Sequence, residues 1–183
     1  MHSVAVIVGS IRRDSNNAKL ARALARLAEG KLEFRTIRID TLPLLNQDHA
    51  DDPGEEVLQF KREVETCSAV LFVTPEHNRA VPAALKNAFD WGTRPRGRNS
   101  WNGKPAAIIG TSAGAISTAL AQQNLRTMAS GHVAALLGAP DAFIRYEEGM
   151  FTADGAITND RTREFLQSFV DAFAELVRRF SDE

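Results

Sequence analysis

Hydroxyl, amide and guanidinium side chains follow the first apolar run of the chain. The run from Ser3 to Val8 predicts a strand, and the segment GSIRRDSNN at residues 9–17 comes directly after it. Donors placed just ahead of a helix suit a compact phosphate group, because the free amides and the dipole of a helix N-terminus favour an anion. The segment matches neither the GxGxxG turn of dinucleotide sites nor the GxxxxGK[ST] loop of nucleoside triphosphatases. The candidate donors are Ser10, Arg12, Ser15, Asn16 and Asn17.

A simpler explanation exists for two of these donors. Ser15 or Asn16 would cap the following helix whether or not a ligand binds. Taken singly, each is better explained as an N-cap, and only the density of donors points to a phosphate site.

A second polar turn follows a strand in the middle of the chain. Residues 69–73 read AVLFV, a continuous apolar run that is typical of a strand buried on both faces. Pro75 ends this strand because proline cannot donate to a β-ladder, and Pro82 opens a helix. The turn between them holds Glu76, His77, Asn78 and Arg79. Asn78 is the better candidate for direct ligand contact, whereas Glu76 alone reads as a solvated or capping carboxylate.

A third turn ends the strand that begins at Pro105. It consists of Thr111, Ser112, Ala113 and Gly114 and leads into an alanine-rich helix.

These three turns are positioned by alternating strands and helices. Strands are predicted at 3–8, 34–39, 69–73, 105–110 and 142–144, and helices at 18–29, 55–66, 82–92, 115–130 and 160–180. The apolar–polar alternation at 34–39 suits an edge strand with one solvated face, and the charged residues of the helix at 55–66 are explained as a solvated face. This alternation predicts one α/β domain over residues 1–183, a flavodoxin-like three-layer sandwich with a five-stranded parallel sheet in the order 2-1-3-4-5. In that order the switch point lies between strands one and three, so the first two turns meet where such sheets bind ligands.

The second turn and its helix resemble the signature of the NAD(P)H-dependent FMN reductase family, which includes flavodoxin-like quinone, azo-dye and chromate reductases. The usual form is P-E-Y-N, a proline four residues on, and then L-K-N-A-hydrophobic-D-W. Here residues 75–78 read PEHN, Pro82 follows, and residues 85–91 read LKNAFDW, so His77 replaces the usual tyrosine. The first turn is similar to the family's G-S-x-R-x-x-S-x-N.

The resemblance implies FMN as cofactor and NAD(P)H as co-substrate. It implies that Ser10, Arg12, Ser15 and Asn17 hold the FMN phosphate, and that residues 75–78 line the isoalloxazine ring largely through backbone groups. Residues 111–114 would cover the flavin, although they are less glycine-rich than the family's usual G-A-S-P-G-G. The implied activity passes a hydride from the nicotinamide to the flavin and on to a quinone, a flavin or a similar flat acceptor, with no side chain required as acid or base.

Two other functions stay open for this fold. One is a flavodoxin-like electron carrier, against which the net charge of −1 counts, because small flavodoxins tend to be markedly acidic. The other is a non-redox, nucleotide-binding regulatory protein.

Charge and cysteine content limit the kinds of binding partner and the compartment that we expect. The net charge of −1 gives no argument for nucleic acid or a membrane surface. Cys67 is the single cysteine, which suits a reducing compartment, and we expect a cytoplasmic protein. The histidines show no metal-ligand spacing. Trp91 and Trp101 flank the basic segment RPRGR at 94–98. These arginines would attract the phosphates of NAD(P)H, or they simply keep a loop solvated. Binding of nucleic acid is a weaker alternative.

Two further expectations concern His77 and assembly. His77 either fills the space of the tyrosine or places an ionisable ring beside the flavin, since the ordinary pKa of a histidine side chain is about 6.5. Apolar residues at Leu85, Phe89 and Trp91, together with the helix at 115–130, suggest a homodimer or homotetramer, and the resemblance points the same way.

Overall fold

The computed structural model describes residues 1–152 and 154–181. Within them one parallel sheet has the order β2-β1-β3-β4-β5, with a sixth strand that also pairs with β4. The predicted flavodoxin-like order is therefore confirmed. A single domain over 1–183 stays a prediction, and residues 153, 182 and 183 lie outside the described part. The strands are β1 His2–Val8, β2 Leu32–Ile37, β3 Ala69–Val73, β4 Pro105–Ser112, β5 Ala135–Leu136 and β6 Phe143–Arg145.

The helices follow the predicted positions with shifted ends. They are α1 Asn16–Leu27, α2 Glu55–Glu65, α3 Ala83–Gly92, α4 Ala119–Ala129 and α5 Asp160–Ser181, with one 3-10 turn at Gln47–His49. The largest shift is at α4, which begins four residues later than the predicted 115, because residues 113–118 form a loop beside the carboxyl edge of the sheet.

The fifth position of the sheet is split between two short strands. β5 pairs with Pro105 and Ala106 at the start of β4, and β6 pairs with residues 110–112 at its end. The sequence predicts a strand at 142–144, which corresponds to β6. It missed β5, since two residues are too few to show a β period.

Continuous apolar runs form β1 and β3 because both strands are covered on two faces. Val4, Val6 and Val8 of β1 pack with α1 and α5, while Ala5 and Ile7 of the same strand pack with α2 and α3. β2 lies at the edge of the sheet, as predicted. Its burial alternates from Leu32 to Arg35, and the alternation breaks at Thr36, which is exposed, and Ile37, which is buried.

The segment after α3 folds back so that its tryptophan enters the core. Trp101 is fully buried and stacks on Phe89, with ring centroids 5.6 Å apart and planes 13° apart. A Cβ on Gly92 would lie 2.2 Å from the Trp101 ring, so this close approach requires glycine. Trp91 is also buried, so neither tryptophan is exposed beside the basic segment, which counts against the nucleic-acid alternative.

The basic segment at 94–98 lies between the end of α3 and the start of β4. Because α3 runs back from the carboxyl edge of the sheet, these arginines lie at the amino edge. Within one protomer they are therefore on the far side of the sheet from the three polar turns, which does not support the predicted contact with NAD(P)H phosphates there.

Lys61 of α2 overturns one expectation about charge. The charged residues of this helix were predicted to form a solvated face, yet the Lys61 side chain is only 4% exposed. Its Nζ donates to the carbonyls of Gly92 and Arg98 at 3.2 and 2.8 Å and to Ser100 Oγ at 2.6 Å. Burial lowers the pKa of Lys61 to about 8. The lysine ties α2 to the end of α3 and to the loop before β4.

Neither a membrane-spanning helix nor a metal-binding cluster is found among the described residues. None of their helices is both long and apolar enough to cross a membrane. No group of three or more His, Cys, Asp or Glu side chains among them is arranged to hold a metal ion.

Candidate functional site

The three polar turns meet in one pocket at the carboxyl edge of the sheet. The pocket has a volume of about 530 Å³, within the range of small-molecule sites. It lies at the ends of β1, β3 and β4, where the switch point of this strand order places a ligand. Its walls are formed by Gly9, Ser10, Ile11, Arg12, Ser15, Asn16, Asn17, Pro75, Glu76, His77, Pro82, Ala83, Ala84, Thr111 and Ser112.

The backbone of the first turn is open to a ligand. Within the described residues, the amides of 10–17 donate to no protein acceptor, and α1 has no acidic residue in its first turn. Ser15 is the N-cap, its hydroxyl accepting from the amide of Ala18 at 3.3 Å, which confirms the capping interpretation for this serine. A helix N-terminus with free amides and no carboxylate of its own favours an anion.

Arg12 is the exposed cation of this turn. Its side chain is 72% exposed, and its guanidinium is 3.9 Å from the carboxylate of Asp14. Asp14 is engaged more closely by Lys19, at 2.7 Å, and the hydrogen bond from Lys19 is the main reason that its pKa lies below the usual value. Arg12 is therefore held only loosely and can turn toward an anion at α1.

Asn17 lies in the pocket wall, but its side-chain amide is hydrogen-bonded within the protein. Its side chain is buried, with Nδ2 donating to the carbonyl of Thr111 at 2.9 Å and Oδ1 accepting from the amide of Thr111 at 3.0 Å. The Thr111 hydroxyl in turn donates to the carbonyl of Ile144 at 2.8 Å. These bonds fix the first turn to the third and give Asn17 a positioning role that the sequence did not reveal.

The second turn is a tight hairpin. The backbones of His77 and Ala80 exchange hydrogen bonds of 3.1 and 3.0 Å. Between them Asn78 and Arg79 have φ of 50° and 67°, as a two-residue turn with both central residues left-handed requires. Asparagine tolerates this conformation, which gives Asn78 a local structural reason to be here. Asn78 is exposed and lies outside the pocket lining, so direct contact with a ligand stays a prediction.

Glu76 caps a helix that is distant in sequence. Its Oε2 accepts from the amides of Leu120 and Ala121 in the first turn of α4, both at 3.0 Å. Its Oε1 accepts from Arg79 at 3.2 Å, and the side chain is 6% exposed. Of the two sequence interpretations, a solvated carboxylate is wrong and a capping carboxylate is confirmed.

The third turn contributes through its first residues. Ser112 lines the pocket, and its Oγ accepts from the amide of Gly114 at 3.1 Å. Ala113 and Gly114 are exposed and are not part of the lining. β4 can approach β3 here because Gly110 has no side chain: a Cβ would lie 2.0 Å from the carbonyl oxygen of Thr74.

Five lining residues were missed by the sequence analysis. They are Gly9, Ile11, Pro82, Ala83 and Ala84. The last three form the N-terminus of α3 and carry no polar side chain, so their types gave no signal. Gly9 could have been found from its place between a strand and a polar turn, where its missing Cβ leaves room for Leu85 and Pro75.

Comparisons with known proteins agree with this geometry. A model of the NADPH-dependent FMN reductase family matches residues 2–149. A 2-hydroxy-1,4-benzoquinone reductase of Burkholderia sp is 46% identical over 175 residues, which is 96% of each chain. A quinone reductase of Pseudomonas putida is 45% identical over 179 residues, covering 97% of this chain and 96% of that protein.

A solved structure is similar over the whole length. It is FerB from Paracoccus denitrificans, a flavoenzyme NAD(P)H:(acceptor) oxidoreductase, with a TM-score of 0.93 and 46% identity. The match covers 98% of this chain and 99% of FerB. Family match, identity and shared fold all lead to one assignment. The chain belongs to the NADPH-dependent FMN reductase family and is an FMN-dependent oxidoreductase that uses NAD(P)H.

Proposed function

We propose that this protein reduces quinones or similarly flat acceptors with NAD(P)H, through FMN held in the pocket at the carboxyl edge of the sheet. The observation that carries the proposal is the pairing of an open helix N-terminus with a loosely held arginine at one end of a pocket of about 530 Å³. The names of the relatives support the acceptor class, since the Burkholderia and Pseudomonas proteins are quinone reductases.

The chemistry of the donors fits the phosphate of FMN. The free amides of residues 10–17 and the hydroxyl of Ser10 are neutral donors, and Arg12 adds a forked cation. Charge-assisted hydrogen bonds to a phosphate are stronger than neutral ones. We assign the phosphate to this turn, with Ser15 and Asn16 in its wall and Asn17 holding the turn in place.

The opposite end of the pocket suits a flat ring. Pro75, Pro82, Ala83 and Ala84 provide apolar surface, and the hairpin after β3 presents backbone groups. FMN, when bound, accepts a hydride from the nicotinamide and passes two electrons to the acceptor. The protein's residues bind the cofactor, orient its ring and leave one side open to flat substrates.

Absorption spectroscopy of the purified protein tests the cofactor directly. We expect a flavin spectrum, and the flavin released on denaturation should be FMN. Stopped-flow mixing with NADPH should bleach this absorption, and adding a quinone should restore it. A flavin that NADPH does not reduce would indicate an electron carrier, and a protein that binds no flavin would contradict the proposal.

We also propose a homodimer or homotetramer, with a contact formed by residues other than those named in the sequence analysis. Leu85, Phe89 and Trp91 are buried in the core of the protomer and do not form a surface, which corrects that part of the expectation. Ile116, in the loop before α4, and Leu120, in the first turn of α4, are 46% and 44% exposed and supply an apolar contact instead. A cytoplasmic location likewise stays a proposal, supported by the single, buried, free cysteine.

A further inference from the structure

The carboxylate of Glu76 joins two of the three turns that build the pocket. The hairpin at 77–80 follows it directly, and its Oε2 accepts two amides of α4, the helix that follows the third turn. Since the side chain is 6% exposed, water competes little for these hydrogen bonds. A carboxylate at a helix N-terminus is also favoured by the helix dipole.

Both connected segments have conformations that need support. Arg79 in the hairpin and Ser117 in the loop before α4 have φ of 67° and 52°, which is unfavourable for residues other than glycine. Each has a specific contact: Arg79 bonds to Glu76 Oε1 at 3.2 Å, and Ser117 Oγ donates to the carbonyl of Ile144 at 2.6 Å. Glu76 therefore stabilises the strained hairpin directly and ties it to the helix after the second strained loop.

The first turn of α4 has no amide left for a ligand. Ala119 donates to the carbonyl of Ile116, Gln122 donates to that of Thr118, and Glu76 takes the two amides between them. The contrast with α1 is direct, because the amides of residues 10–17 have no acceptor in the described part of the protein. Because α4 is filled by the protein's own charge, it offers no amide to a phosphate, whereas α1 does.

We propose that Glu76 is a positioning residue for the flavin site. It holds the hairpin and α4 in register at the ring end of the pocket, and it places a fixed negative charge there. The part of this proposal that concerns FMN rests on the proposed function, whereas the link between hairpin and helix does not.

Two variants separate the link from the charge. Glu76→Gln keeps an oxygen acceptor of the same shape but removes the charge, and Glu76→Ala removes both. Glu55→Ala is the matched control. Glu55 is an exposed glutamate in the first turn of α2, away from the pocket, and it pairs with Arg62 of the same helix.

Hydrogen exchange of the full-length chain, without and with FMN, tests the link. We expect the amides of Leu120 and Ala121 to exchange roughly tenfold faster in Glu76→Ala, because a lost cap typically costs about that factor. Glu76→Gln should stay close to wild type, and Glu55→Ala should leave both amides unchanged. Unchanged exchange at both amides in Glu76→Ala would overturn the link, even if the protein bound no flavin at all.

The midpoint potential of bound FMN tests the charge. Reduction adds negative charge to the cofactor, so removing a nearby carboxylate should make the potential more positive in Glu76→Gln, with FMN affinity near that of wild type. Glu76→Ala should show a weaker affinity as well, which the glutamine variant rescues. A potential equal to wild type in Glu76→Gln, or wild-type affinity in Glu76→Ala, would overturn the positioning role toward FMN.

Discussion

Arg12 is a permanently charged, exposed side chain beside an open helix N-terminus. We predict that Arg12→Ala weakens FMN binding by about 1.5–3 kcal/mol, roughly ten- to a hundredfold, because charge-assisted contacts to the phosphate are lost. Binding of riboflavin, which lacks the phosphate, should change little. Fluorescence titration with both ligands measures this difference. Arg13→Ala is the control, since Arg13 is exposed and lies outside the pocket lining; equal losses for FMN and riboflavin would contradict phosphate recognition by Arg12.

His77 places an imidazole in the pocket wall at the position where the family usually has tyrosine. Within the described residues the imidazole has no hydrogen-bond or ion-pair partner, and its charged neighbours Glu76 and Arg79 are paired with each other. The ring is therefore available to donate a proton to a reduced acceptor. We predict that turnover with a quinone falls as pH rises from about 5.5 to 8.5, and that His77→Tyr flattens this profile.

Steady-state rates of both proteins across that pH range provide the measurement, with FMN content determined in each sample. Retention of FMN in His77→Tyr is the control for a distorted pocket. Superimposable pH profiles would leave His77 only the role of filling the space of the tyrosine.

At the scale of the element, Gly92 shows how one missing side chain positions a whole segment. We predict that Gly92→Ala lowers the free energy of unfolding by about 1–3 kcal/mol or more, because the new methyl would overlap the Trp101 ring at 2.2 Å. Gly131→Ala is the control, since a Cβ there meets no atom within 4 Å. Urea unfolding of both variants tests the prediction, and equal stabilities would mean that the Trp101 segment repacks freely.

The sequence predicted the elements that have a strong apolar pattern and missed contacts made by single polar atoms. β1 and β3 were evident from continuous apolar runs, and the strand order followed from their alternation with helices. The three turns were predicted because polar residues follow each strand, and the structure brings them together in one pocket. Glu76 caps α4 because the hairpin and this helix lie close together in space. The residue types do not reveal that distance, so the sequence could not show which helix Glu76 would cap.

Lys61 illustrates the same limit. Its place among the charged residues of α2 predicted a solvated side chain, because nothing in the local sequence shows that the loop at 92–100 folds over it. A buried lysine becomes predictable only when its three acceptors are known, and these are supplied by a segment more than thirty residues away.

At the scale of the whole molecule, Lys61 makes stability depend on pH. Its folded pKa of about 8 lies below the ordinary 10.5, mainly because of burial. Between these values the unfolded chain binds a proton that the folded protein does not, so stability rises with pH. The cost of the buried charge is fully present below about pH 8 and is relieved as pH increases toward 10.5.

We therefore predict that the stability of wild type increases relative to Lys61→Met between pH 8 and 10.5, the interval between the two pKa values. At pH 7 two effects oppose each other in the variant: the carbonyls of Gly92 and Arg98 lose their donor, and the cost of the buried charge is removed. Urea unfolding at several pH values measures both effects. Lys86→Met, which removes an exposed lysine, is the control and should show no such pH-dependent difference; parallel curves for wild type and Lys61→Met would contradict the role of burial.

Two exposed apolar side chains on the surface of the protomer suggest that it assembles into an oligomer. Ile116 and Leu120 expose large apolar side chains beside the pocket, and burying them in a symmetric contact would stabilise a dimer. We predict that the FMN-loaded protein sediments as a dimer or tetramer at micromolar concentration and that Leu120→Asp shifts it toward the monomer, because a buried carboxylate without a partner is costly. Phe165→Asp is the matched control, since Phe165 is 37% exposed on α5, and it should leave the sedimentation coefficient unchanged. A wild-type protein that stays monomeric throughout this range would refute the assembly, and a dimer unaffected by Leu120→Asp would place the interface elsewhere.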